Sequence, residues 1–205
     1  FSCAASPSRA FLRSQLADSA FGPIDAIAIR LHFATWPRGW QEAAARLGKR
    51  RQGGYVREVL SHFIYLIESV FGRLILEQAM VRYPDGIDGV AAESHVYADL
   101  TCNGVPVSVA GGVGGTGPDR IEFTVWGQTQ SCRLEDWYTA YLSDGQAWRP
   151  AMAESDDLKG DIRQVGRVRQ LDNLAQFMRG EPHELPDFQA ALSVQRVIEG
   201  ILDQR

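Results

Sequence analysis

The chain has 205 residues, 45 % of them apolar and 22 % charged, which is ordinary for one soluble globular domain and excludes a disordered, fibrous or disulfide-dense chain. Twenty-one Lys and Arg against 25 Asp and Glu leave a net charge of -4, the wrong sign for a domain that grips nucleic acid backbone. No window approaches the ~18 consecutive apolar residues of a membrane-spanning helix, and the three cysteines lack any Cys-x-x-Cys spacing. These features lead to the expectation of a reduced, cytoplasmic domain without membrane or nucleic-acid partners and without a bound metal.

In chain order, Pro7 to Ser19 reads as a helix with Pro7 in its first turn and Phe11, Leu12 and Leu16 on one side. Asp25 to Phe33 alternates, with Ile27, Ile29, Leu31 and Phe33 on one face and Arg30 and His32 on the other, as a half-buried strand does. Trp36 to Gly54 reads as a loop with a short helix ending at Gly48. The following Lys49-Arg50-Arg51 reads as a solvated helix terminus in preference to an anion site. Trp36 and Trp40 flank this loop, either to cover a sugar-sized ligand or to pin the loop. Tyr55 to Phe71 is the strongest predicted helix.

From Leu74 the period switches to two. Strands are predicted over 74–82, 92–102, 105–110, 120–127 and 130–142, punctuated by Pro-Asp-Gly, Asn-Gly, a glycine run and Gly-Gln. The glycine run spells Gly112-x-Gly114-x-x-Gly117. A dinucleotide loop needs a helix N-terminus directly after it, yet Arg120 to Val125 alternates as a strand, so the run reads as a flexible hairpin loop. Helices over ~162–179 and ~187–203 close the chain. The fold class expected is α+β: a mainly antiparallel or mixed open-faced sheet with helices packed on one face.

The helix over 55–71 carries the chemistry. At ~100° per residue, with Glu58 at zero, His62 falls near 40° and Tyr65 near -20°, while Val56, Val59, Leu60, Phe63, Leu66 and Ile67 fill an apolar arc. A carboxylate one turn from an imidazole favours its charged form and orients it, an arrangement suited to moving a hydroxyl proton. An ordinary solvated Glu–His pair has the same spacing. His32, His95 and His183 lie on separate elements, and nothing in the spacing requires them to converge on a metal.

Four stretches together resemble the C-terminal domain of the Gfo/Idh/MocA oxidoreductases. Ser6-Pro7 through Leu12 and Leu16 to Phe21-Gly22-Pro23-Ile24 is similar to the family's helix, turn and opening strand. Gly53-Gly54-x-x-x-Glu58-x-x-Ser61-His62 is similar to its Gly-Gly…Asp…His motif, Arg120 to Gly127 to its sheet edge, and Leu171-x-x-Leu174-x-x-Phe177 with Ala190-Ala191-Leu192 to its closing helices. The resemblance spans the chain as one substrate-binding and dimerisation domain, 1–205, and implies hydride transfer to or from a hydroxyl or carbonyl carbon of a sugar, polyol or related small molecule. It implies His62 as catalytic residue and Glu58 as the family's preceding acid; Tyr65, Trp36 and Trp40 are the candidate substrate-binding residues beside them. It also implies NAD or NADP held mainly by an N-terminal Rossmann domain not found in these residues, so that the isolated piece is inactive, and a homodimer through the open sheet face. The sequence departs from the family pattern with Glu58 for Asp, Leu60 for Gly and Tyr65 where an Asp is common. The competing reading is a non-catalytic dimerisation or ligand-sensing module of the same fold.

Overall fold

The computed structural model describes residues 2–41, 43–84, 90–151 and 162–204. Helix α1 (Pro7–Ala17) starts where Ser6, in extended backbone, accepts a hydrogen bond from the Arg9 N–H at 3.2 Å, with Pro7 in the first turn where its missing donor costs nothing. Strand β1 (Ile24–Phe33) follows, then short 3₁₀ turns at Gly39–Gln41 and Ala45–Gly48. The predicted long helix is a wide π turn, Val56–Leu60, running into α2 (Ser61–Val70). Seven strands come next: β2 (Leu74–Arg82), β3 (His95–Cys102), β4 (Val105–Val113), β5 (Arg120–Gly127), β6 (Ser131–Glu135), β7 (Thr139–Ser143) and β8 (Arg149–Pro150). Helices α3 (Ile162–Met178) and α4 (Phe188–Asp203) end the chain.

The strands form one mixed sheet in the order β2-β3-β4-β1-β5-β6-β7-β8. Only β1 and β4 run parallel; every other neighbour is antiparallel. The inner face presents Ile27, Ile29, Leu31, Phe33, Val96, Leu100, Val107, Val109, Phe123 and Val125, all buried against the helical layer. The opposite face presents Arg30, His32, Tyr97 and Trp126, with Tyr97 and Trp126 each 45 % exposed. One face is therefore core and one is open, as the alternation of each strand requires. Helix α4 covers the β2 side of the inner face and packs on α2. The apolar row of α3 (Val168, Leu171, Leu174, Phe177, Met178) stays exposed. Cys102 and Cys132 are free thiols buried in the sheet, and burial pushes Cys132 up to about 12, which keeps it an unreactive thiol. No described helix is long and apolar enough to cross a membrane.

Three sequence expectations change. The glycine run is not a hairpin loop, because β1 stands between β4 and β5 and the connection must cross over the end of β1. The start of the run is strand: β4 continues through Gly111, Gly112 and Val113, and Gly114 and Gly115 take left-handed backbone. The Gly114 N–H donates to the Phe33 carbonyl at 2.9 Å, tying the crossover down. Second, 130–142 is two strands, β6 and β7, joined by a turn in which Asp136 and Trp137 have φ of 49° and 72°. That turn carries no Gly or Pro, so pattern reading ran through it. Third, β3 begins at His95, not at residue 92.

Gly111 lies on the core side, where a Cβ would come within 2.8 Å of the Tyr55 ring and 3.0 Å of Val96, whereas a Cβ at Gly117 would meet nothing within 4 Å. Gly111→Ala is therefore expected to destabilise the fold by about 1–3 kcal/mol through overpacking. Gly117→Ala should stay within about 0.5 kcal/mol of the parent. Urea unfolding of the two variants checks this, and equal midpoints would refute the packing role of Gly111.

Candidate active site

The site begins at the N-terminus of the π turn. Gly54 has φ +90°, and a side chain on it would collide with the Glu93 carboxylate. Glu93 is only 2 % exposed and accepts the Val56 N–H at 2.7 Å. A buried carboxylate at the positive end of a helix satisfies donors that have no intrahelical partner. Burial nonetheless holds its pKa above the usual carboxylate range, opposed by backbone N–H bonds from Val56 and its neighbours and by Arg57. Gly53 is equally enclosed, with the Leu47 carbonyl 2.9 Å from where its Cβ would stand. The two glycines thus leave room for a carboxylate cap and a tight loop. Arg57 fastens the same turn to α4 through a bidentate pair with Glu199 at 2.8 and 2.6 Å, and that pairing lowers the Glu199 pKa. Glu93 and Glu199 escaped sequence reasoning: each is a lone acidic residue far along the chain, visible only once the partner is in place.

The π turn matters because the Ser61 N–H reaches back to the Val56 carbonyl, one residue further than in an α-helix. A count of 100° per residue therefore fails across Val56–Leu60. Glu58 and His62 still share one cavity of about 310 Å³, walled also by Ser8, Arg38, Trp40, Trp137, Tyr138 and Arg167. The expected polar stripe does not extend to Tyr65. That ring is 5 % exposed, belongs to the core and does not line the cavity. Trp36 also stands apart from it. Its Nε1 donates to the Leu47 carbonyl at 2.9 Å and its ring packs on Phe33 and Tyr55, so it pins the loop. Trp40, 76 % exposed, does line the cavity, with the Arg38 guanidinium 4.7 Å over its ring.

Trp137 is the residue that pattern reading missed. Its ring stacks on Phe63 at 4.4 Å and meets the His62 imidazole edge-on at 5.4 Å. Phe63 stacks in turn on Phe123 of β5, so an aromatic column connects the sheet to the cavity wall. The left-handed β6–β7 turn presents this ring, and the Ser8 hydroxyl of α1 holds its carbonyl at 2.7 Å. Against this wall His62 is half-buried, and desolvation pushes its imidazole down to about 4. The sequence expectation was a Glu58 carboxylate favouring the charged imidazole. Burial overrides it, leaving His62 neutral at pH 7 with a ring nitrogen able to take a proton.

The Gly112–Gly117 run does not fit a dinucleotide pyrophosphate, since strand β5 follows it where a helix N-terminus is needed. The sequence matches no family model and no curated protein. Its fold, in contrast, matches solved structures along its whole length. A super-repressor mutant of Gal80p from Saccharomyces cerevisiae has a TM-score of 0.76 at 16 % identity over 98 % of this chain and 60 % of that one. An inositol dehydrogenase homolog from Azotobacter vinelandii, complexed with NADH and myo-inositol, scores 0.72 at 15 % identity over 98 % and 60 %. Levoglucosan dehydrogenase, in complex with NADH and L-sorbose, scores 0.75 at 15 % identity over 99 % and 62 %. The fold is that of the Gfo/Idh/MocA-type oxidoreductases, and the chain spans about three fifths of the length of these structures.

Burial of neutral His62 has a measurable consequence. Charging this imidazole costs more in the folded chain than in the unfolded one, so the unfolded chain binds more protons between pH 6.5 and about 4. Stability is expected to fall as pH drops through that window, and His62→Gln should lose less than the parent between pH 7 and pH 4.5. Urea midpoints at the two pH values check this. An equal loss in both proteins would show that His62 is not the group responsible.

Proposed function

We propose that this chain is the substrate-binding and pairing domain of an NAD(P)-dependent oxidoreductase acting on a hydroxyl or carbonyl carbon of a sugar, polyol or related small molecule. The observation that carries this reading is neutral His62, half-buried on the wall of a cavity shared with Glu58, on a fold common to sugar and polyol dehydrogenases. In the oxidising direction the His62 ring nitrogen takes the proton of the substrate hydroxyl, and in the reducing direction it returns it. Glu58 orients the substrate or the imidazole from one turn away. Trp137 and Trp40 offer ring faces to the apolar side of a sugar, while Ser8 and Tyr138 bring hydroxyls to the same cavity. A nicotinamide, when bound, supplies the hydride chemistry. The glycine run does not fit it, so the reading assigns its binding mainly to a further domain.

The Gal80p likeness favours a second reading, a ligand-sensing or pairing module without catalysis. Kinetics separates the two. In the parent polypeptide His62→Gln should lower kcat by ~10²–10⁴-fold, with little change in melting temperature at pH 7, because the substitution keeps a side chain of similar size against Trp137. No turnover in the parent on any polyol or sugar with NAD or NADP favours the module, whereas near-parental turnover of the variant would refute His62 as the proton-transferring residue.

Pairing is proposed through the open sheet face. Exposed Tyr97, Trp126, Ile75 and Met80 share it with Arg30, His32 and Glu122, and a two-fold axis would let this patch meet its own copy. Light scattering at tens of micromolar is expected to give twice the monomer mass, reduced toward monomer by Trp126→Glu. Only monomer in the parent chain would refute pairing.

A further inference from the structure

His32, Gly112 and His95 occupy one row across three adjacent strands. His32 of β1 pairs with Gly112 of β4, and Gly112 pairs with His95 of β3. All three face away from the core, since Leu31, Phe33, Gly111 and Val96 on either side of them point into it. Gly112 contributes no side chain, so both imidazoles flank bare backbone. His32 Nδ1 and His95 Nε2 each lie 3.5 Å from the point where a Gly112 Cβ would stand.

The tautomers follow from the other two ring nitrogens. His32 Nε2 is 2.7 Å from the Gly114 carbonyl oxygen, which can only accept, so Nε2 carries the proton and Nδ1 the lone pair. His95 Nδ1 is 3.3 Å from the Ser94 hydroxyl oxygen. That hydroxyl donates its one hydrogen to the Arg82 carbonyl at 3.1 Å, so it accepts from His95 Nδ1 and leaves the lone pair on Nε2. The two unprotonated nitrogens, His32 Nδ1 and His95 Nε2, are therefore those beside the Gly112 position, and each imidazole is oriented by an acceptor behind it. This is how proteins hold metal-ligating histidines.

We propose that the His32–Gly112–His95 notch binds a borderline divalent transition metal ion, Cu²⁺ most tightly and Zn²⁺ less so. Neutral imidazoles suit these ions. Among the described residues no carboxylate lines the depression, which disfavours Ca²⁺ and Mg²⁺, ions that require oxygen ligands. Among the described residues no group of three or more His, Cys, Asp and Glu side chains could hold a metal, so of these residues the two imidazoles are the proposed ligands, completed by water or an anion. Arg30 and Arg120 line the same depression. Arg120 is paired with Glu122 at 2.8 Å and Arg30 leans on the Ile29 carbonyl at 3.2 Å. Their charge opposes a bare cation and favours an anionic co-ligand on the metal. The notch lies away from the His62 cavity but on the open sheet face, where Arg30, His32 and Tyr97 also belong to the proposed pairing patch.

Isothermal titration of Cu²⁺ into the 205-residue chain in a non-coordinating buffer tests it. One ion per chain is expected, with His32→Gln and His95→Gln each weakening binding by about tenfold or more. His183→Gln, on the far α3–α4 connection, should leave it unchanged. Long-range ¹H–¹⁵N spectra of the parent chain with Zn²⁺ should move His32 Nδ1 and His95 Nε2 and not the opposite nitrogens, a readout that needs no variant to fold. Absence of saturable binding, binding indifferent to both substitutions, or perturbation of the opposite nitrogens would overturn the proposal.

Discussion

The arrangement rests on one buried hydrogen bond, from the Val56 N–H to the Glu93 carboxylate. A carboxylate 2 % exposed is costly to desolvate, and an uncapped helix start inside the protein leaves orphan donors; bringing the two together offsets both penalties. The cap requires left-handed Gly54, where a side chain would fill the carboxylate's space, and the loop before it requires Gly53, where a side chain would strike loop carbonyls such as that of Leu47. It fixes where the π turn starts, and that start sets where Glu58 and His62 emerge four residues apart. Arg57 with Glu199 anchors the same turn from the α4 side. The site helix is thus held at its beginning by two acidic residues distant in sequence.

The sheet separates two chemistries. Its inner face is a continuous aliphatic and aromatic layer, and through Phe123, Phe63 and Trp137 it extends to the wall of the His62 cavity. Burial on that side lowers the His62 pKa and keeps it a neutral base. The outer face carries histidines, arginines and exposed aromatics without helices over them. The same residue type therefore behaves differently on the two sides. His62 is governed by desolvation against Trp137, whereas His32 and His95 are governed by the hydrogen bonds that fix their tautomers.

The connection between β4 and β5 illustrates how topology overrides local pattern. Two strands separated by a glycine-rich stretch read as a hairpin. Here β1 is inserted between them, parallel to β4 and antiparallel to β5, and the stretch becomes a crossover fastened to Phe33 and His32. Glycine serves separate purposes along it: space for Tyr55 at Gly111, an open notch at Gly112, and left-handed backbone at Gly114 and Gly115.

Periodicity in the sequence was enough to determine β1, the site helix, the strand block and the closing helices, because alternation and the 3.6 repeat are local consequences of which face is buried. It also singled out Glu58 and His62, which share a cavity with Trp40, a residue marked by its loop and not by any period. Periodicity could not show that Tyr65 turns into the core or that Trp36 pins a loop, since a π turn and a packed aromatic cluster displace side chains from an ideal helical count. Strand order, the split of 130–142 at a left-handed turn, the Glu93 cap, the Trp137 wall and the placing of His32 and His95 on either side of Gly112 were decided only by tertiary structure. Apart from that turn, whose left-handed residues are neither Gly nor Pro, each joins residues far apart in the chain, and contact between them depends on packing and register that no local pattern of residues encodes.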